Sequence, residues 1–169
     1  MIHIYSCHFK KDNKEMFVKI NRDEIHQILQ SVSAIASEDL DEMAAPSYLH
    51  SNPFIRWLMW KRLHFIYNLA RLTKDISVLD FGCGLGLFLP TLCDSSSRVY
   101  AIDLFPQFAQ YLSRKSGLQV QFVYDIHSMA PESLDIIISA DVMEHLEDPS
   151  SFTRSFHGSL GSGSPFLSL

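Results

Sequence analysis

Asp80, Gly82, Gly84 and Gly86 occupy alternate positions in VLDFGCGLGLF, residues 78–88, so a carboxylate precedes three of the chain's seven glycines within five residues. Glycine adopts positive backbone dihedrals without strain and lets a ligand lie against the main chain. The carboxylate beside such a turn is an acceptor-only anion, suited to ammonium or hydroxyl donors. Asp103 follows the apolar run RVYAI and Asp125 follows VQFVY. A single carboxylate at such a strand end can accept from two neighbouring hydroxyls. Asp141, Glu144 and His145 form the last group. On a helix their separations put two carboxylates and an imidazole on one face, a donor set for a divalent cation. The plainer reading is a solvated acidic helix start, continued by Glu147 and Asp148. An unperturbed imidazole titrates near neutral pH, so the residue type of His145 suits a general base, against the ordinary alternative of a packing or capping histidine.

These residues need elements to position them. Residues 78–81 read as a buried strand and 85–92 as a helix, so the glycines mark a tight turn into a helix amino terminus, where amide donors lack partners. A dinucleotide fingerprint requires glycine or alanine three residues after Gly84, and Leu87 stands there, which weakens a hydride-transfer reading. Further strands are expected at 98–102, 120–124 and 134–139, the last leading into ADVMEHLEDP, residues 140–149. Asp103 alone could cap a helix starting near Phe105 and Pro106, and Asp125 could be an ordinary loop carboxylate. Their joint order at helix-length gaps is that of a doubly wound α/β sheet.

The pattern Asp80-x-Gly82-x-Gly84-x-Gly86, with Asp103, Asp125 and ADVMEHLEDP downstream, resembles the class I S-adenosylmethionine-dependent methyltransferases. The last string is similar to the subgroup that includes quinone-biosynthesis O-methyltransferases. The resemblance implies a Rossmann-like, mostly parallel sheet, S-adenosyl-L-methionine as cofactor and methyl transfer to a small-molecule or lipid-like acceptor. It also implies roles: the loop of Gly82, Cys83, Gly84 and Gly86 against the amino-acid half of the cofactor, with Asp80 holding its ammonium end. Asp103 would accept from both ribose hydroxyls, Asp125 and Ile126 would meet the adenine amine, and Leu104 and Ala140 would belong to the same cofactor-binding set. The alternative function is a cofactor-binding but catalytically silent module acting through a partner; an NAD-dependent dehydrogenase ranks third.

Residues 1–74 are expected to form an amino-terminal helical lid and 75–169 the cofactor-binding core. Apolar residues at helical intervals predict a helix over 22–36 with Asn21 as cap, and Asn52-Pro53 opens a second helix. The second is apolar nearly all round, so burial on several sides is expected, with Trp57, Trp60 and Phe65 as core or interface aromatics. Since the segment before the first strand supplies part of the acceptor site in the family it resembles, Tyr48, Arg56 and Trp57 are the substrate candidates. At the other end, residues 155–169 resemble a helix, a glycine turn and a fifth strand near 165–169, after which the family's sixth and seventh strands are missing. That strand would leave Phe166, Leu167 and Leu169 at an open edge, a route to self-association.

With 169 residues, 47% of them hydrophobic, the chain can bury a substantial core as one unit. A net charge of −5 without a basic stripe argues against a nucleic-acid partner. The amino terminus lacks the uninterrupted apolar run of a signal peptide or membrane span, which points to a cytoplasmic address. Cys7, Cys83 and Cys93 read as reduced thiols, Cys83 being a small loop filler.

Overall fold

The computed structural model describes residues 17–32, 44–140, 142 and 165–168. Five parallel strands form one sheet in the order β3-β2-β1-β4-β5: β1 (Ser77–Phe81), β2 (Arg98–Ile102), β3 (Val120–Phe122), β4 (Ile136–Ser139) and β5 (Phe166–Ser168). The sheet grows outward from β1 to β3 and then reverses, β4 pairing with the free side of β1. Because every pair is parallel, all five carboxyl ends lie along one edge. The strand order reverses between β1 and β4, the point at whose carboxyl ends open α/β sheets bind their ligands.

Alternate residues of β1 face opposite sides. Val78 joins Val99, Ala101, Ile136 and Ile138 in the larger core, whereas Leu79 and Ile137 join Leu134 and Ile126 on the other face. The larger core is roofed by α1 (Arg22–Gln30), α2 (Ala45–Leu49), α3 (Pro53–Ala70), α4 (Leu89–Ser95) and α5 (Gln107–Ser116). Two side-chain clamps fix this arrangement. Thr91 Oγ1 of α4 accepts from Val18 N at 3.0 Å, and Phe17 packs among Trp60, His64, Tyr67 and Phe88. Asp135 Oδ2 accepts from Ser77 N at 2.7 Å, which locks the starts of β1 and β4 together.

Asn21 caps α1 through a reciprocal pair with Glu24, and Asn52 caps α3 ahead of Pro53, as the sequence predicts. Three expectations need correction. The helix expected over 85–92 begins only at Leu89, because Gly84 and Gly86 hold φ of 49° and 76° and the chain is still turning. The first helix ends at Gln30, where the Ser31 hydroxyl bonds back to Ile28 O. At the sheet edge, Phe166 and Leu167 are half-buried against opposite cores instead of facing solvent.

Helix α3 is the fourth difference. It buries Met59, Trp60, Leu63, Ile66 and Tyr67 on one face only, while Trp57 and Phe65 are exposed on the other.

Candidate functional site

The carboxyl ends of β1 and β2 are held together by the glycine turn itself. Gly82 N and Cys83 N both donate to Ile102 O, at 2.9 and 3.2 Å, so the turn folds back over the end of β2. Gly86 N then bonds to Cys83 O at 2.7 Å and Leu89 N to Gly86 O at 3.1 Å, leading into α4. Gly82, Gly84 and Gly86 all have positive φ. Their other reasons for lacking a side chain differ. A Cβ at Gly86 would stand 2.9 Å from Ala109 Cα and 3.0 Å from Ala109 Cβ, so this glycine lets α5 approach the turn. A Cβ at Gly82 would collide with the Val142 side chain, just beyond β4.

Asp103 is the hinge of the site. Its Oδ2 accepts from Gly84 N at 2.6 Å and its Oδ1 from Phe105 N at 2.8 Å. The carboxylate therefore ties the middle of the glycine turn to the loop after β2, doing the capping work read as its alternative role. A carboxylate has about four acceptor positions, and among the described residues two are met by donors, which leaves room for two adjacent hydroxyl donors. Beside it Leu104 is 86% exposed, an uncovered apolar surface on the same loop.

Asp80 lies on the helix-facing side of β1 and is only 4% exposed. Burial, reinforced by the neighbouring Asp103 charge, pushes its carboxyl up from 3.8 to about 7. A cation brought to this position would restore the ionised form. Helix α2 reaches the same place: Tyr48 is buried against Trp60, ring centroids 5.3 Å apart. Its hydroxyl is driven upward by burial, with Arg62 opposing and Asp80 adding to the shift. Tyr48, Arg62 and Asp80 thus form one electrostatic group.

Of the three acceptor-site candidates only Tyr48 joins Asp80. Arg56 Nη1 is held by the carbonyls of His50 and Ser51, the latter at 2.9 Å, where it closes the loop before α3. Trp57 is stacked on Phe54 on the exposed face of α3. Arg62 is the residue that sequence reasoning missed. Its signal was a cation at the border of the buried helical face. Asp125 Oδ1 accepts from His127 N at 2.9 Å and caps the short 3-10 turn Ile126–Ser128, while the Ile126 side chain is buried in the second core. Ala140 follows β4, half-buried against the larger core. Ser139 at the end of β4 is buried with no hydrogen-bond partner for its hydroxyl among the described residues. Cys83 is buried, which raises its thiol well above the ordinary range and makes it a filler of the turn. Asp141, Glu144 and His145 lie outside the described residues, and among the described residues no group of three His, Cys, Asp or Glu side chains could hold a metal ion.

The sheet order, the glycine turn after β1 and the carboxylate after β2 together make a doubly wound α/β fold with a glycine turn tied to an acidic loop. The methyltransferase domain family matches residues 79–167, which contain both, and the chain belongs to that family, of the class I S-adenosylmethionine-dependent type. It is 35% identical over 134 residues to a ubiquinone biosynthesis O-methyltransferase of Xanthomonas euvesicatoria, covering 75% of this chain and 53% of that protein. The chain spans about half the length of the curated relatives it matches. Among solved structures, a SAM-dependent methyltransferase of Aquifex aeolicus is similar in fold with a TM-score of 0.56 and 21% identity, over 75% of this chain and 68% of that one. A phosphoethanolamine N-methyltransferase of Haemonchus contortus, solved with S-adenosyl-L-methionine, gives 0.58 and 21%, over 64% of this chain and 27% of its own.

Proposed function

We propose that the protein binds S-adenosyl-L-methionine at the carboxyl ends of β1 and β2 and transfers its methyl group to a hydroxyl of a small-molecule or lipid-like acceptor. The observation that carries this reading is Asp103, which fastens Gly84 N and still has acceptor positions free beside an uncovered Leu104. Asp103 would accept from the ribose hydroxyls. Asp80, buried and raised to about 7, supplies the anion that an ammonium group would ionise. Asp125 is assigned to the adenine amine and Ala140 to the border of the cleft. When bound, the cofactor supplies an activated sulfonium methyl group.

The protein's own part is to align the acceptor oxygen and keep water away, and Tyr48, buried beside Asp80, closes the lid side of the cleft. The choice of a hydroxyl acceptor rests on the similarity to ubiquinone biosynthesis O-methyltransferases. His145 is the general base we assign to that hydroxyl, within ADVMEHLEDP.

Methyl transfer from labelled S-adenosylmethionine to a panel of phenolic and catecholic acceptors tests the reading. Transfer to at least one hydroxyl acceptor is expected. His145→Ala should lower the rate by about 10²-fold or more while leaving cofactor affinity in place. Tight cofactor binding with no transfer to any acceptor would instead identify a silent cofactor-binding module.

A further inference from the structure

Helix α3 has two apolar faces, and the fold uses only one of them. At 3.6 residues per turn, Met59, Trp60, Leu63, Ile66 and Tyr67 share the face turned to the core. Phe54, Trp57, Leu58, Phe65 and Leu69 share the opposite stripe and are 63%, 48%, 46%, 52% and 51% exposed. This stripe runs about 22 Å along the helix. Five large exposed apolar side chains on one side of a single helix, with Lys61 between Leu58 and Phe65, differ from the single exposed apolar residues scattered over any protein. Phe54 and Trp57 are stacked with centroids 5.6 Å apart, and Lys61 Nζ stands 5.7 Å from the Trp57 ring centroid.

Charge selects what this stripe meets. Residues 44–74 contain no Asp or Glu, in a chain whose net charge is −5; of their five cations Arg56, Arg62 and Lys74 are engaged within the fold, and Lys61 and Arg71 are exposed on α3 and at its end. A second copy docked through the same stripe would bring two cationic segments together, which is unfavourable. An anionic surface is complementary. Aromatic and leucine side chains on one stripe, a lysine within it and exposed Arg71 at its end form the pattern of a helix that lies in a lipid headgroup layer. No helix among the described residues is long and apolar enough to cross a membrane, so the contact is parallel to the surface. We propose that the exposed stripe of α3 is a docking surface for an anionic lipid bilayer.

Sedimentation of the purified chain with vesicles of equal parts phosphatidylglycerol and phosphatidylcholine tests this, with pure phosphatidylcholine vesicles and a high-salt arm alongside. Binding to the anionic vesicles is expected, at least about ten-fold weaker on neutral lipid and reduced by salt. Phe65→Glu combined with Leu69→Glu should lower it by a similar factor or more. Both side chains are already exposed, and circular dichroism checks that the variant is folded. Lys61→Glu gives an independent reduction by charge alone. Brominated lipid should quench the fluorescence of exposed Trp57, read as the difference from Trp57→Phe. A folded chain that ignores anionic vesicles, or equal binding by the folded variants, would overturn the proposal. So would a dimer whose formation shields Trp57 and is abolished by Phe65→Glu, since the stripe would then belong to a second copy. None of these readouts depends on methyl transfer.

Discussion

Asp103 and Asp80 are a pair with opposite obligations. Asp103 accepts two backbone donors and so supports the loop as well as any ligand. Asp103→Ala should therefore weaken S-adenosylhomocysteine by about 1.5–3 kcal/mol, the scale of hydrogen bonds to a charged group, and also lower the melting temperature. Calorimetry and a thermal melt read the two effects separately; a sequence view of Asp103 as a ligand contact alone anticipates only the first. Asp80 behaves in reverse. In the unfolded chain it ionises near 3.8, but in the fold it keeps its proton to about 7. Stability present below pH 4 is therefore lost as pH rises towards 7 and stays lost above it, by about 4 kcal/mol at most. Asp80→Asn removes that dependence. In urea melts at pH 5 and pH 8 the variant should gain on the wild type at the higher pH, while losing affinity for a cationic ligand. A wild type that gains on the variant between those pH values would refute the buried-carboxylate assignment.

The glycine turn separates ligand geometry from packing at the level of the element. Gly86 has a φ of 76° and no room for a Cβ against Ala109, so Gly86→Ala should destabilise the protein by about 1–3 kcal/mol. Adding Ala109→Gly should recover part of the loss, because one of the crowded atoms is removed; an additive double variant in denaturant melts would show that the turn and α5 are not in contact. The strand that carries Asp80 and those that precede Asp103 and Asp125 were legible because they are short apolar runs beside carboxylates; β2 matches residue for residue, whereas β3 ends at Phe122, short of the expected 120–124. The start of α4 was not legible. The apolar run LGLF reads on into the helix that follows it, and only the positive φ at Gly84 and Gly86 shows that the turn is still in progress. The roles of Arg56 and Trp57 were hidden for a different reason. An all-round apolar helix gives no periodic signal for which face is buried, and only packing against Phe17, Tyr48 and the sheet selects Trp60 over Trp57. Tyr48 was legible as a candidate, but its partnership with Arg62 is a tertiary fact with no local signature.

At the scale of the whole molecule, the sheet places β1 between β2 and β4, so the reversal in strand order and the glycine turn fall at the same end. Tyr48 of α2, buried in the larger core, lies within electrostatic reach of Asp80 at that end. That the cleft takes S-adenosylmethionine is the central claim, and the most direct measurement is calorimetric titration with S-adenosylhomocysteine at pH 6 and pH 8. Saturable one-to-one binding is expected, tighter at pH 8, where Asp80 no longer has to release a proton to meet the ligand's ammonium group, and weakened about ten-fold or more by Asp103→Ala. A folded wild type that gives no binding at either pH, or an Asp103→Ala variant that binds as tightly, would contradict the assignment of this cleft.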